Sequence, residues 1–202
     1  MKVYNNDIMY LKKARELLID IDMVNGFLKE GALAAPSIMR IVPRQKELIE
    51  EALESEDTGV VFVKDSHSFR ATEFRRYLEH CMAYSKESEL IDELRDYEKH
   101  ARVYYKNSTN LIFAPGIMHD LLILNDLEEV KLMGCLSEVC VQNGAIGLRT
   151  FFDQHNRNVD VCVYSDAIDT FDAPDHEAEK VTEQALEDMT RNGIKVLRKR
   201  KN

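Results

Sequence analysis

The sequence predicts a doubly wound α/β fold, in which helices pack against a parallel sheet. Short, nearly continuous apolar runs occur at intervals along the 202-residue chain. Such runs are typical of strands that are buried on both faces, as in parallel sheets. Helical patterns lie between the runs, and this alternation indicates right-handed βαβ units.

Five apolar runs are predicted to be strands, and a sixth run is a weaker candidate. The five runs are residues 16–22, 59–64, 130–135, 159–164 and 194–197, and the weaker candidate is 110–114. The first run ends in acidic residues, and the second turns abruptly polar at Asp65. These changes mark the points at which the strands should leave the sheet.

Helical patterns fill most of the remaining chain. They cover residues 37–53, 88–97, 118–124, 138–153 and 175–191. The segment 138–153 is mostly apolar, which predicts close packing against the sheet. The last helix opens at Asp175, a typical N-cap residue, and ends before Asn192-Gly193, a C-cap signal. Residues 65–87 are the least regular stretch, and such a loop on a rigid sheet often carries function.

Composition limits the classes of protein and partner. The chain has 45% hydrophobic and 31% charged residues, which suits one domain over residues 1–202. A net charge of −9 argues against a nucleic-acid partner, because phosphate-backbone binding needs clustered Lys and Arg. The one basic cluster, at 198–201, is interpreted as a solvated tail.

The sequence also predicts a cytoplasmic location without a membrane partner. Residues 1–15 are polar and do not resemble a secretory signal. No apolar run approaches the roughly 20 residues that a membrane span requires. The four cysteines are therefore expected to be reduced thiols.

The carboxyl ends of the predicted strands point to a site. Ligands in open α/β sheets bind outside these ends. Asp22 ends the first strand, Asp65 follows the second, and the turn 134–140 follows the run at 130–135. These polar residues are therefore expected to meet at one edge of the sheet.

Cys140 is a candidate nucleophile in the first turn of the helix that follows this turn. Free backbone N–H groups and the helix dipole favour a thiolate there, and the same N–H groups can bind an oxyanion. The alternative is a small buried cysteine, which is common in such helices.

Lys106 and Asp22 are the candidate partners of Cys140. A lysine at the mouth of the site lowers the thiol pKa by charge attraction. A buried carboxylate beside lysine and cysteine suits general-base catalysis. Taken singly, Lys106 could be an ordinary surface lysine, and Asp22 could be a capping or ion-paired residue. The neighbouring Asp20 also leaves open which of the two acids has the catalytic role.

The loop after the second run contains a candidate metal site. Asp65, His67 and His80 lie there with Glu73, and an alternating Asp-x-His places both side chains on one side of an extended segment. Imidazole and carboxylate ligands suit a divalent Zn, Fe or Mn with open positions. The alternative is a polar loop with two incidental histidines.

Taken together and in their order along the chain, these motifs resemble those of the nicotinamidase/isochorismatase-like cysteine hydrolases, and the resemblance covers residues 17–197. The segment 17–27 (LLIDIDMVNGF) resembles the family's opening motif, in which a strand ends in Asp followed by Met-Gln-Asn-Asp-Phe. Asp22 then matches the catalytic Asp, Lys106 the catalytic Lys, and Cys140 the nucleophile of Gly-x-x-Thr-Asp-x-Cys. The metal-binding Asp-x-His and later His-Cys of nicotinamidases match Asp65, His67 and His80, and residues 1–15 are an N-terminal extension outside the pattern.

The resemblance implies further features of fold and mechanism. It implies a six-stranded, mainly parallel sheet with helices on both faces, and a cis peptide bond between Cys135 and Leu136. The Leu136 and Cys140 N–H groups would form the oxyanion hole. Glu73 is the candidate for an additional metal ligand, which some members of the family have. The implied cofactor is zinc, with iron or manganese as alternatives.

The implied reaction is the hydrolysis of nicotinamide to nicotinic acid and ammonia through a thioester on Cys140. Several residues depart from the pattern: Val24, Gly26, Ser137 and Glu138 replace Gln, Asp, Thr and Asp. The chain also has no Trp to wall a pyridine ring. Phe27 and Tyr105 are the predicted substrate contacts, with Phe69 and Tyr77 as alternatives.

Three alternatives to a nicotinamidase stay open. The first is a family member that acts on another small amide or ureido compound. The second is a non-catalytic α/β binding module, against which the presence of all three catalytic residues counts. The third, a flavodoxin-like nucleotide binder, lacks the expected glycine-rich loop after the first strand. The family resemblance also implies a homo-oligomer.

Overall fold

Six parallel strands form a single sheet in the computed structural model, which describes residues 11–198. The strands are β1 Glu16–Ile21, β2 Thr58–Asp65, β3 Arg102–Lys106, β4 Glu129–Cys135, β5 Asp160–Asp169 and β6 Lys195–Leu197. Their order across the sheet is β3-β2-β1-β4-β5-β6. The reversal of strand order beside β1 is the doubly wound arrangement, so the predicted fold is confirmed.

Helices cover both faces of this sheet. They are α1 Asn25–Leu28, α2 Val42–Glu54, α3 Asp92–Glu98, α4 Ile117–Ile123, α5 Gln142–Gln154 and α6 Ala178–Arg191. One apolar core lies beneath α4, α5 and α6, and a second lies beneath α1, α2 and α3. The run Val60–Val63 of β2 is at most 1% exposed, because alternate side chains enter each core.

The third strand differs from the prediction. Residues 110–114 do not form a strand, because the Asn110 side chain accepts a hydrogen bond from the Ile112 N–H and caps a 3-10 turn, Leu111–Phe113. The strand at this point of the sheet is β3. Its partly exposed edge position explains why it lacks a continuous apolar run.

Two element boundaries also differ. The helix predicted over 37–53 is a 3-10 segment, Pro36–Ile41, followed by α2. The last helix begins at Ala178 rather than near Asp175, since the Asp172 carboxylate accepts the Ala178 N–H at 2.8 Å. Its predicted end is confirmed, with Asn192 at the C-cap and Gly193 at a φ of +81°.

Two regions of the sequence analysis lie partly outside the described residues. They are positions 1–10 of the N-terminal extension and positions 199–201 of the basic cluster. Over residues 11–198, no helix has both the length and the apolar character needed to cross a bilayer. All four cysteines are buried free thiols.

Candidate active site

Asp22, Lys106 and Cys140 meet at the carboxyl edge of the sheet. The Lys106 Nζ lies 2.7 Å from Asp22 Oδ2 and 3.6 Å from Cys140 Sγ. Asp22 and Lys106 are 1% exposed and Cys140 is 4% exposed. The three residues that the sequence singled out are thus in mutual contact and shielded from bulk water.

Strand pairing creates this contact. Strands β2 and β3 place Asp65 directly opposite Lys106, and the Lys106 ammonium also pairs with Asp65 Oδ1. Asp22 follows β1 with a φ of 60°, and its N–H donates to the Val63 carbonyl at 2.9 Å. The Asp65 N–H donates to Asp22 Oδ1 at 2.8 Å, which fixes the carboxylate against the lysine.

Cys140, the candidate nucleophile, lies on a tight turn after β4. Gly134 has a φ of +121°, and the peptide bond between Cys135 and Leu136 is cis, as the family resemblance implied. A π-helical turn, Ser137–Val141, follows, and its Val141 N–H donates to the Leu136 carbonyl at 3.1 Å. Cys140 lies in this π-helical turn, which runs directly into α5.

Burial and charge set the proton affinities of the site. Burial raises the pKa of the Cys140 thiol well above its usual value, although the Lys106 charge acts to lower it. Burial, together with the Asp65 charge, also raises the pKa of Asp22, against the opposing effect of Lys106. The attraction of Lys106 that the sequence predicts is therefore present but smaller than the effect of burial. A thiol beside an acceptor carboxylate is the resulting resting arrangement.

Asp65, His67 and His80 form a second cluster beside the first. The two imidazole Nε2 atoms are 3.1 Å apart, and Asp65 Oδ2 lies 3.4 Å from His67 Nε2 and 3.7 Å from His80 Nε2. All three residues are buried, and their ligand atoms lie within 4.8 Å of one another. This grouping meets the requirement of a metal site for converging donors.

The hydrogen bonds behind the imidazoles test whether a metal fits. His80 Nδ1 lies 2.7 Å from the Leu78 carbonyl, an acceptor only, so Nδ1 carries a proton. The Asn107 Oδ1 accepts the Ser68 N–H at 3.0 Å and lies 3.2 Å from His67 Nδ1, which must also donate to it. In the neutral rings both Nε2 lone pairs then face each other beside a carboxylate. A divalent cation can bind the two Nε2 lone pairs and the Asp65 carboxylate together, so the residues fit a metal.

Glu73 is placed less directly. Its side chain is 5% exposed, and Oε1 lies 3.9 Å from His67 Nε2. The Glu73 carboxylate therefore faces the cluster of Asp65, His67 and His80 from a greater distance than Asp65 does.

A small, largely apolar cavity of about 40 Å³ lies over both clusters. Its lining residues are Phe27, Leu33, Asp65, Glu73, Tyr77, His80, Thr109, Leu136, Val139 and Cys140. Phe27 also packs against His80, with 5.4 Å between ring centroids. Phe27 and the alternative aromatic residue Tyr77 therefore form walls of the cavity.

Tyr105, the other predicted substrate contact, is not among the lining residues. Alternation along β3 directs Lys106 into the site and Tyr105 away from it, where the Lys64 Nζ lies 5.1 Å from the ring centroid. Phe69 is also outside the lining and is 78% exposed.

Leu33, Thr109 and Asn107 were not predicted from the sequence. Leu33 belongs to the loop after α1, and no periodic pattern there indicates the cavity. Asn107 and Thr109 follow Lys106 closely in the chain, and this proximity is the signal from which a place near the site could have been predicted.

Comparisons with known proteins agree with this geometry. A model of the isochorismatase domain matches residues 16–198. The N-carbamoylsarcosine amidase of Thermoplasma acidophilum is 27% identical, with a TM-score of 0.72 over 93% of this chain and 98% of that one. The comparison with curated proteins found no match.

Two further solved structures share the fold at 24% identity. The pyrazinamidase of Pyrococcus horikoshii, in complex with zinc, has a TM-score of 0.72 over 91% of this chain and 99% of that one. The nicotinamidase of Bacillus subtilis has a TM-score of 0.73 over 90% and 98%. Since the family model covers nearly the whole chain, the protein belongs to the isochorismatase family of hydrolases.

Proposed function

We propose that this protein is a nicotinamidase, which hydrolyses nicotinamide to nicotinic acid and ammonia with Cys140 as the nucleophile. The observation that carries the proposal is the contact of Cys140 and Asp22 with one buried lysine, Lys106. A nucleophile, a base and a cation in one buried cluster are the groups that acyl transfer from an amide requires.

In the proposed mechanism Asp22 accepts the Cys140 proton, and Lys106 stabilises the thiolate. The sulfur attacks the carboxamide carbon, and the Leu136 and Cys140 N–H groups stabilise the oxyanion, an effect of about 3–4 kcal/mol for each donor. Asp22 returns the proton to the leaving nitrogen, so the carbon–nitrogen bond breaks and ammonia departs. A water molecule, deprotonated by Asp22, then hydrolyses the thioester to the acid and the free thiol.

The metal part of the proposal assigns a divalent cation, zinc, to Asp65, His67 and His80, with Glu73 facing them. A bound zinc ion would supply a Lewis acid that could hold a ring nitrogen of the substrate, and Asp65, His67 and His80 would be its ligands. The zinc complex of the pyrazinamidase with the same fold supports this assignment.

The cavity walls support a neutral aromatic substrate. Phe27 and Tyr77 offer flat apolar surfaces, and the lining residues within the described chain include no Arg or Lys. A ureido acid such as N-carbamoylsarcosine carries a carboxylate, which a wall with basic residues would suit better. The neighbouring Asp65 and Glu73 disfavour such an anion further.

A second candidate function is the hydrolysis of another small amide or ureido compound. The 27% identity with the N-carbamoylsarcosine amidase favours it over unrelated reactions. The same nucleophile and base would serve, and only the contacts in the outer part of the cavity would differ.

Ammonia release from nicotinamide and N-carbamoylsarcosine, measured with zinc-loaded protein, tests the proposal. We expect release from nicotinamide, and none from the Cys140→Ala variant. Cys162→Ser, a buried thiol in β5, is the matched control and should retain release. Release from N-carbamoylsarcosine alone would move the assignment to the second candidate. Full activity of Cys140→Ala would contradict the nucleophile.

A further inference from the structure

We propose that Asn107 is a positioning residue for the metal site, because it holds the His67 ring with its Nε2 atom free to bind the cation. Asn107 would not touch the metal. This inference rests on the metal site of the proposed function and adds a residue that neither the sequence pattern nor the ligand set includes.

The hydrogen bonds of Asn107 give the first argument. Its Oδ1 accepts the Ser68 N–H at 3.0 Å and lies 3.2 Å from His67 Nδ1. Because the backbone N–H can only donate, the Asn107 atom must be the amide oxygen, and His67 Nδ1 must carry the proton. This tautomer leaves the Nε2 lone pair directed at Asp65 and His80.

The surroundings of the ring give the second argument. The His67 side chain is fully buried, and the amide oxygen of Asn107, an exposed residue, is the acceptor that its Nδ1 contacts. Its backbone is held by the segment around Cys81 and Ala83, through hydrogen bonds of 2.9 Å on each side. The side-chain contact with Asn107 ties the ring to the residue that directly follows Lys106 at the end of β3.

The two histidines differ in how they are held. The Nδ1–H of His80 donates to a backbone carbonyl, that of Leu78, which no substitution removes. The acceptor of His67 is a side chain on another segment of the chain. A change at Asn107 therefore alters the orientation of one ligand and leaves the ligand set intact.

Loss of the acceptor should weaken metal binding. Without the Asn107 oxygen, the protein acceptor nearest to the ring is Asp65 Oδ2, 3.4 Å from Nε2, which favours the tautomer with its proton on Nε2. A protonated Nε2 cannot bind a cation. Loss of such an outer contact typically lowers metal affinity by about 10- to 100-fold.

Zinc affinity, measured by competition with a coloured chelator, tests the inference. We expect Asn107→Ala to bind zinc about 10- to 100-fold more weakly than the wild type. Asn107→Asp retains an acceptor oxygen and should keep wild-type affinity or exceed it. Asn125→Ala, at an exposed turn outside the cavity lining, is the matched control and should leave affinity unchanged.

The absorption spectrum of the cobalt-substituted protein gives a second readout, since it reports ligand geometry. Thermal unfolding in the presence of chelator shows whether Asn107→Ala folds without metal. If Asn107→Ala is destabilised, the zinc affinity of Asn107→Asp becomes the deciding measurement. Wild-type affinity in Asn107→Asp supports the positioning role of Asn107, and a loss equal to that of Asn107→Ala overturns it. A wild-type affinity and spectrum in Asn107→Ala would also overturn it, while leaving the metal site of the proposed function in place. No zinc binding by the wild type would overturn both, and hydrolysis by Cys140 would still be tested by ammonia release.

Discussion

Lys106 is the residue on which the charge balance of the site depends. Its ammonium is fully buried and contacts two carboxylates, those of Asp22 and Asp65. These carboxylates raise its pKa well above the usual value, although burial opposes them. Removal of the cation leaves two buried acids facing each other without a counter-charge.

Replacement of Lys106 by Met should therefore lower both activity and stability. Breaking a buried ion pair by removing one partner costs about 3–5 kcal/mol, and urea unfolding measures this loss. Lys64→Met is the matched control, because Lys64 is also buried but pairs with Glu98, whose side chain is 32% exposed. Equal losses in the two variants would contradict the central role of Lys106.

Asp20 is a second buried acid, in the middle of β1. Within residues 11–198 its carboxyl group forms no ion pair and no side-chain hydrogen bond, and it is 1% exposed. Burial, reinforced by the charge of Asp22, raises its pKa to about 8. The group is therefore protonated in the folded protein at neutral pH.

The raised pKa makes the stability depend on pH. The folded state holds the Asp20 proton more tightly than the unfolded state does. The contribution of this proton to the free energy of unfolding is therefore complete below the unfolded pKa of about 4, and it is lost as the pH rises towards 8. The slope is about 1.4 kcal/mol per pH unit in this window. Asp20→Asn should remove it, which urea unfolding at pH 5 to 8 can measure; parallel curves for the two proteins would contradict the prediction.

Two departures from the family's opening motif have local physical reasons. A Cβ atom on Gly26 would lie 2.5 Å from the Cys81 sulfur, so the usual Asp does not fit. Val24 is fully buried in the second apolar core, where Gln would need polar partners. The sequence shows such departures, but only the packing explains them.

The turn between β4 and α5 is the element that places Cys140, the proposed nucleophile. At Gly134 the strand passes so close to β1 that a Cβ atom would lie 2.1 Å from the Ile21 carbonyl oxygen. Its positive φ adds a second requirement for glycine. The close approach of β1 and β4 at this point therefore requires a residue without a side chain, namely Gly134.

Gly134→Ala should destabilise the protein by well over 1 kcal/mol, because strain and a backbone clash combine. Gly116→Ala separates the two effects: its φ is also positive, at +90°, but nothing lies within 4 Å of the added Cβ. We expect about 1 kcal/mol for this control. Urea unfolding of both variants is the measurement, and equal losses would show that the close approach to Ile21 is unimportant.

Elements buried on both faces were predictable from sequence, and the others were not. The buried parts of β1, β2 and β4 have nearly continuous apolar sequences, interrupted by Asp20 in β1 and Lys131 in β4, and these strands match the predictions. In β3 only Tyr104 and Lys106 are buried, so an edge strand was missed and a capped 3-10 turn was mistaken for it. Strand β5 continues to Asp169 through half-exposed polar residues, which an apolar pattern cannot indicate.

At the scale of the whole molecule, the parallel sheet explains why distant residues meet. Asp22, Asp65 and Lys106 follow or end three neighbouring strands, and Cys140 follows a fourth. Topology therefore predicted that Asp22, Asp65 and the turn at 134–140 share one edge of the sheet. It did not place Lys106 there, because the strand that carries it, β3, was not predicted. The Asn107 contact and the exclusion of Tyr105 depend on side-chain direction, which the sequence does not specify.

Metal binding should stabilise the whole fold, since the ligands converge only in the folded chain. At a free zinc concentration of 100 times the dissociation constant, the gain is about 2.7 kcal/mol. His67→Ala should lose this zinc-dependent shift in thermal unfolding. His119→Ala, at an exposed position, should retain it. A full shift in His67→Ala would remove that residue from the ligand set.

Asp65 also limits how this site can vary. One of its oxygens contacts Lys106, and the other faces the two histidines. Any substitution at position 65 therefore damages both clusters at once, and a second-site change would need to restore contacts in two directions. Random mutagenesis under selection for amide hydrolysis should leave this position invariant.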